Sequence, residues 1–267
     1  MKIATWNVNS IKARLPIVCD WLQSTAPDVL LLQELKCQTE AFPYEVIEDA
    51  GYQVAAFGQK TYNGVAILAK GGIEDITCGN PFFDDLQARV IEAVVGGEYR
   101  VISVYVPNGE AVGTDKYAYK LRFFEAFARL IEDRLQFGEK LIIGGDFNVA
   151  PHDLDVYNPD TWRGKVLCSV PERLALRSLT NLGLTDVLRA QNPDKEGIYT
   201  WWDYRSGGFS RNNGLRIDHL LLSPKAMDMV VDVGVDAATR QLPRPSDHAP
   251  VWVTLQPQFG ISANKNL

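Results

Sequence analysis

The feature that most limits what this chain can fold into is a succession of short apolar runs, each rich in aliphatic, β-branched or aromatic residues and bounded by Gly, Pro, Asn or Asp. They include IATWNV, DVLLLQE, YQVAAF, GVAILAK, RVIEAVV, YRVISVYV, KLIIGGDF, IYTWWDY, RIDHLLLS and APVWVTL. Runs of this length and flanking chemistry predict β-strands, and none is long enough to cross a bilayer as a helix. Amphipathic patterns are few. Helices are expected over 10–23, started by a Ser10 cap and ended ahead of Pro27, over 115–137, where Leu121, Phe124, Phe127, Leu130, Ile131 and Leu135 recur at helical spacing, and over 171–181, stopping at Gly183. Many strands, few helices and no strict βαβ alternation imply packed sheets with helices outside them, a layered α/β sandwich. With no linker and no fixed-period repeat, a single domain is expected over 1–256, followed by a polar tail at 257–267.

Charge and cysteine usage narrow the function classes. The chain carries 27 basic and 33 acidic residues, a net charge of −6, which argues against holding nucleic acid by bulk electrostatics. A bound cation and a local arginine cluster could still supply a positive field where one is needed. The four cysteines are scattered without a CxxC pair, which reads as reduced thiols and a cytoplasmic location. The opening MKIATWNV has no signal-peptide pattern, so no membrane association is expected.

The informative residues are polar groups that interrupt or end apolar strands, since scaffold-held loops carry most catalytic groups. They are Asn7 and Asn9 in WNVNS, Glu34 in LLLQELK, Tyr105 and Asn108 in VYVPNGE, Asp146 and Asn148 in GGDFNVAP, Asp218 in GLRIDHLLLS, and Asp247-His248 in PSDHAP. Carboxylates, amides, a phenol and an imidazole together suit a hard divalent cation with oxygen ligands better than zinc. Each has an ordinary alternative: a strand surfacing at Glu34, an Asx turn at Asp146, a core ring at Tyr105, a turn residue at Asp247. His152 reads as solvated and His219 as structural. What the ordinary readings do not explain is the accumulation of all these groups in one chain.

The blocks WNVNS, LLLQELK, GQKTYNGVAI, YVPNGE, GDFNVAPHDLDV, YTWWDYRSGGF, GLRIDHLLLS and PSDHAPV, in that order, resemble the exonuclease III family of abasic-site endonucleases, within the deoxyribonuclease I-like endonuclease/exonuclease/phosphatase superfamily. The resemblance covers nearly the whole chain. It implies a four-layered sandwich of two mixed β-sheets flanked by helices. It also implies Mg²⁺-dependent hydrolysis (Mn²⁺ as a substitute) of DNA phosphodiesters 5′ to abasic sites and at blocked 3′ ends, with double-stranded DNA as partner and a monomeric enzyme.

By that resemblance, Glu34 is the principal metal ligand, with Asn7, Asp146, Asn148, Asp247 and His248 in the ligand set. Asp146 would deprotonate the attacking water, Asn148 hold that water or the phosphate, and His248, supported by Asp218, donate to a non-bridging oxygen. Tyr105 would bond the phosphate or the leaving group. Lys120, Arg122, Arg205, Arg211 and Arg216 would contact DNA, with Arg240 and Arg244 as further basic candidates and solvated surface arginines as the ordinary reading. Alternation along a strand puts one of Trp201 and Trp202 on the site face, and the resemblance selects Trp201. Leu167 is expected to pack, unless it points inward and obstructs a flipped sugar. Competing functions are a 3′-end-processing paralogue with little abasic-site activity, a phosphatase or lipase of the same superfamily, and a non-catalytic nucleic-acid-binding member.

Overall fold

The computed structural model describes residues 1–256; the tail at 257–267 lies outside the described residues. The apolar runs form strands β1 (Lys2–Asn7), β2 (Val29–Gln33), β3 (Gln53–Phe57), β4 (Val65–Ala69), β5 (Ile73–Cys78), β6 (Val90–Val95), β7 (Tyr99–Tyr105), β8 (Lys140–Asp146), β9 (Thr185–Asp186), β10 (Trp201–Trp202), β11 (Gly214–Leu215), β12 (Asp218–Leu222), β13 (Val230–Val235) and β14 (Val251–Leu255). The helices are α1 (Ile11–Thr25), α2 (Tyr44–Asp49), α3 (Asp115–Leu135), α4 (Pro159–Trp162), α5 (Val170–Asn181), α6 (Val187–Gln191) and α7 (Pro224–Met227).

Two mixed six-stranded sheets result, in the orders β13-β14-β1-β2-β4-β3 and β5-β6-β7-β8-β12-β9, with β10 and β11 as a short separate ribbon. They pack face to face over Ile3, Leu31, Ile67, Val101, Ile142 and Leu220. The outer face of the first sheet carries Trp6, Leu30 and Leu32 against Val18, Trp21 and Leu22 of α1. The outer face of the second carries Ile102 and Ile143 against Phe123 and Phe127 of α3 and Leu179 of α5. These are the four layers expected. Strands β2 and β4 are buried along their whole length, which explains why VLLLQ and VAILA are continuous apolar runs.

Local chemistry sets the boundaries. Ser10 caps α1 by accepting from the Ala13 N–H, and Ser169 caps α5 in a reciprocal box with Glu172. The run IYTWWDY yields only the two residues of β10, because the Asp203 carboxylate accepts from the Arg205 N–H and turns the chain. Gly144 and Gly145 let the core close beneath the end of β8. A Cβ on Gly144 would lie 2.7 Å from Leu31 Cδ1 of the opposite sheet, and one on Gly145 would lie 2.0 Å from the Val104 carbonyl oxygen.

Candidate active site

Strand direction gathers the polar residues at one rim. β1 runs parallel to β2, and β7 parallel to β8, so Asn7, Gln33, Tyr105 and Asp146 all end their strands at the same edge of the sandwich. β12 is antiparallel to β8 with Asp218 opposite Asp146, so its first residue arrives where β8 finishes. β14 is antiparallel to β1, which brings the preceding Asp247 and His248 to this rim as well. Beneath it the sheets are tied by Gln33, whose amide donates to Thr5 Oγ1 (3.0 Å) on the neighbouring strand of its own sheet and to Ser103 Oγ (3.0 Å) across the core.

At the centre, Asn7 Nδ2 donates to Glu34 Oε1 (3.0 Å) and to Asp146 Oδ2 (2.9 Å), holding the two carboxylates side by side. Glu34 adopts a left-handed backbone (φ 54°), uncommon for a residue with a side chain and a mark of a constrained position. Burial opposes the charge on Glu34, but Lys36, 2.8 Å away, and the Asn7 amide outweigh it and hold the carboxyl below its usual range. Asp146 is buried, and that burial, with Asp218 and Glu34 close by, raises its carboxyl against the opposing pull of His248.

His248 Nδ1 lies 2.9 Å from Asp218 Oδ2 and 3.1 Å from Oδ1, while Nε2 points toward Asp146 Oδ2 at 3.8 Å. Burial disfavours the charged ring, but Asp218 and Asp146 more than compensate, raising it to about 10. The ring is therefore a proton-bearing donor at neutral pH. Tyr105 is pushed well above its ordinary value by burial and by the carboxylates of Glu34 and Asp146, so its phenol also keeps its proton. Asn148, at φ 51°, donates its backbone N–H to Asp146 Oδ1 (2.8 Å) and accepts on its side-chain oxygen from Asn108 Nδ2 (3.1 Å).

Glu34, Asp146 and His248 each offer a ligand atom within 4.8 Å of the others. The carboxylate oxygens of Glu34 and Asp146, tied side by side by the Asn7 amide, have the hard-donor chemistry that would suit a divalent cation. Asp247 stands outside this trio: its oxygens accept from Asn9 Nδ2 (2.9 Å) and Trp201 Nε1 (3.0 Å). Trp201 thus reaches the rim, whereas Trp202 is buried against Tyr199 and Phe209. Leu167 packs with Ala150, Val156, Leu215 and Ile217 in the cluster that backs Trp201.

Two expected DNA contacts are corrected. Lys120 is wholly buried and salt-bridged to Glu172, and Arg216 is buried between Asp155 and Asp186, with Nε to Asp155 at 2.7 Å and Nη1 to Asp186 at 2.6 Å. Both cations are wholly buried against these acceptors, out of reach of a phosphate at the surface. Arg122 is exposed on α3, and Arg205 and Arg211 are exposed on the β10–β11 loop. Arg240 is buried, its guanidinium over the rings of Tyr204 and Phe209.

The GQKTYNG segment, expected as a loop at the rim, borders its other flank through Gln59, Tyr62 and Asn63, beside Arg89, which the sequence reading did not single out. A groove of about 550 Å³ adjoins the centre, lined by Asn63, Gln87, Arg89, Tyr105, Asn108 and Tyr119 among others. Arg89 stacks 5.1 Å from the Tyr105 ring centroid and donates to the Tyr105 carbonyl at 3.2 Å. Its signal in the sequence was a lone charge opening an apolar strand.

A model of the endonuclease/exonuclease/phosphatase family matches residues 4–248. The chain belongs to that family. Within it, exodeoxyribonuclease III of Haemophilus influenzae is 38% identical, with 94% of this chain and 98% of the relative aligned. Among solved structures of the family, a 3′–5′ exonuclease, NExo, from Neisseria meningitidis is 47% identical with a TM-score of 0.94, covering 96% of this chain and 100% of that one. An AP endonuclease from Archaeoglobus fulgidus is 36% identical with a TM-score of 0.92 over the same shares. A 3′ phosphatase from Neisseria, 46% identical with a TM-score of 0.94 and the same coverage, was solved bound to a product DNA hairpin.

Proposed function

We propose that the protein is a DNA repair nuclease, a metal-dependent phosphodiesterase that cleaves 5′ to abasic sites and removes blocking groups from 3′ ends of double-stranded DNA, with Mg²⁺ as its ion. The observation that carries this reading is the imidazolium of His248, held by Asp218, facing Asp146 across a rim shared with Glu34. Asp146 accepts a proton from water as its oxygen attacks phosphorus, and the P–O bond to the 3′ oxygen breaks. His248 donates a hydrogen bond to a non-bridging oxygen, matching the charge that grows there. The neutral Tyr105 hydroxyl donates to the phosphate, and Asn148 holds the water against Asp146. An ion at Glu34 and Asp146 would neutralise phosphate and leaving-oxygen charge.

The groove beside Tyr105 and the exposed Arg205 and Arg211 give the rim polar and cationic flanks on which a duplex can lie, although the chain is acidic overall. Identity of 47% to a 3′–5′ exonuclease against 36% to an AP endonuclease supports 3′-end processing as the larger share of activity. A cytoplasmic location agrees with the four unpaired cysteines.

The test compares two labelled duplexes with Mg²⁺, one with an internal abasic analogue and one nicked with a 3′ phosphate. Hydrolysis of the nicked duplex at the higher kcat/KM is expected. Abasic cleavage as the dominant reaction would reverse the ranking, and hydrolysis of neither would end the nuclease assignment.

A further inference from the structure

A buried lysine is expensive unless every donor is used, and Lys120 uses all three. From the second turn of α3 its ammonium donates to the Asn148 carbonyl (2.7 Å), to the Asn108 carbonyl (3.1 Å) and to Glu172 Oε1 (2.5 Å). Both Lys120 and Glu172 are wholly buried. The three acceptors sit on three separate segments: the turn after β7, the turn after β8, and α5. Two of them belong to residues that meet at the rim, where Asn108 Nδ2 donates to Asn148 Oδ1.

Glu172 is itself pinned. Its oxygens accept from the N–H groups of Leu167 (3.0 Å) and Ser169 (3.1 Å), and Ser169 Oγ meets the Tyr117 hydroxyl of α3 at 2.6 Å. The loop closes on the helix that carries Lys120. The left-handed backbone of Asn148 is a sparsely populated conformation that needs support, and the shortest of the lysine's contacts with a backbone carbonyl is with this residue.

We propose that the buried Lys120–Glu172 pair is a positioning device for the reaction: by holding the carbonyls of both Asn148 and Asn108 it sets Asn148 against Asp146, with Asn108 bonded to the Asn148 side chain, and it does so without touching DNA. The inference rests on the nuclease reading above. It separates two roles that sequence alone confuses. A lysine on a DNA-binding surface changes how tightly substrate binds and how binding depends on salt, while a lysine that places an amide changes turnover.

The test uses the full-length protein with Mg²⁺ and a nicked duplex bearing a 3′ phosphate. Lys120→Met is expected to lower kcat about tenfold to a hundredfold, the scale of an ångström-sized misplacement. Duplex affinity should change less than threefold, and the slope of log affinity against log salt should stay that of the wild type; loss of a phosphate contact would reduce it by about 0.9. In an Asn148→Ala background, adding Lys120→Met should cost less than threefold more, because two residues acting as one unit are not additive.

The Lys120→Met/Glu172→Gln double variant removes both buried charges and should recover thermal stability without recovering kcat. If Lys120→Met alone fails to fold, the double variant carries the same kinetic and salt readings. A reduced salt slope, full additivity with Asn148→Ala, or recovery of kcat together with stability would each overturn the inference. An inactive wild type would count against the nuclease reading; an active wild type with any of those three results would count against this one alone.

Discussion

Replacing Asp218 with asparagine keeps the shape beside His248 and removes the charge. Both Asp218 oxygens lie within 3.1 Å of His248 Nδ1, and both groups are buried, so the contact is a charge-assisted hydrogen bond shielded from water. Such a bond contributes about 1.5–3 kcal/mol. At about 1.4 kcal/mol per factor of ten, its loss in the transition state should lower kcat by roughly 10- to 150-fold.

The electrostatic consequence has a sign that can be read separately. Burial lowers the affinity of the ring for a proton, and Asp218 is the largest of the carboxylates that raise it to about 10. With Asp218 gone, the ring should titrate down toward its ordinary value of about 6.5. In the wild type, the stability contributed by the raised His248 is fully present below about pH 6.5 and is lost as pH climbs toward 10. In Asp218→Asn that loss moves to lower pH, and turnover should decline above neutrality through deprotonation of this ring. NMR titration of the metal-free protein and steady-state kcat on a nicked 3′-phosphate duplex measure the two effects. A ring that still titrates near 10 in the variant would refute the assignment of the shift. A lowered titration point with kcat changed less than threefold would refute the need for an imidazolium.

Three further perturbations separate the parts of the site. Asp146→Asn should lower kcat by about 10²- to 10⁴-fold, the range for a general base, while duplex affinity by equilibrium binding stays within threefold. Glu34→Gln should abolish the Mg²⁺-induced rise in thermal midpoint, which for the wild type at a hundredfold excess over Kd corresponds to about 2.7 kcal/mol. Arg216→Met should cost about 3–5 kcal/mol in urea unfolding at pH 7, since it strips the cation from two carboxylates. Against their burial, Arg216 and its neighbours hold Asp155 and Asp186 below the usual range, so their contribution is present above about pH 4 and lost as pH falls. The deficit of Arg216→Met should therefore shrink on acidification.

The layers and the rim were readable in the sequence for a specific reason. Strand-ending polar residues such as Asn7, Glu34, Tyr105 and Asp146 stand out against apolar runs, and parallel pairing delivers them to one edge. Basic residues gave no such contrast. Lys120 and Arg216 look like surface charges in one dimension because their partners, Glu172, Asp155 and Asp186, are 52, 61 and 30 positions away in the chain. Arg89 was invisible for the opposite reason, being a single charge whose importance comes from the Tyr105 ring it stacks on. Asp247 sits beside His248 in sequence, yet its hydrogen bonds lead to Asn9 and Trp201 and not to the Glu34–Asp146 pair, a divergence that adjacency in the chain conceals.

If Asp146 and its neighbours direct water onto a DNA phosphorus with the help of a divalent ion, the oxygen that enters the phosphate comes from solvent. The most direct test runs the 3′-phosphate duplex reaction in ¹⁸O-water with Mg²⁺ and analyses the released phosphate by mass. One solvent oxygen is expected in each phosphate, with loss of release in EDTA and a rate in Asp146→Asn lower by at least about a hundredfold. Release that persists in EDTA, phosphate without the label, or an Asp146→Asn rate equal to the wild type would contradict this mechanism.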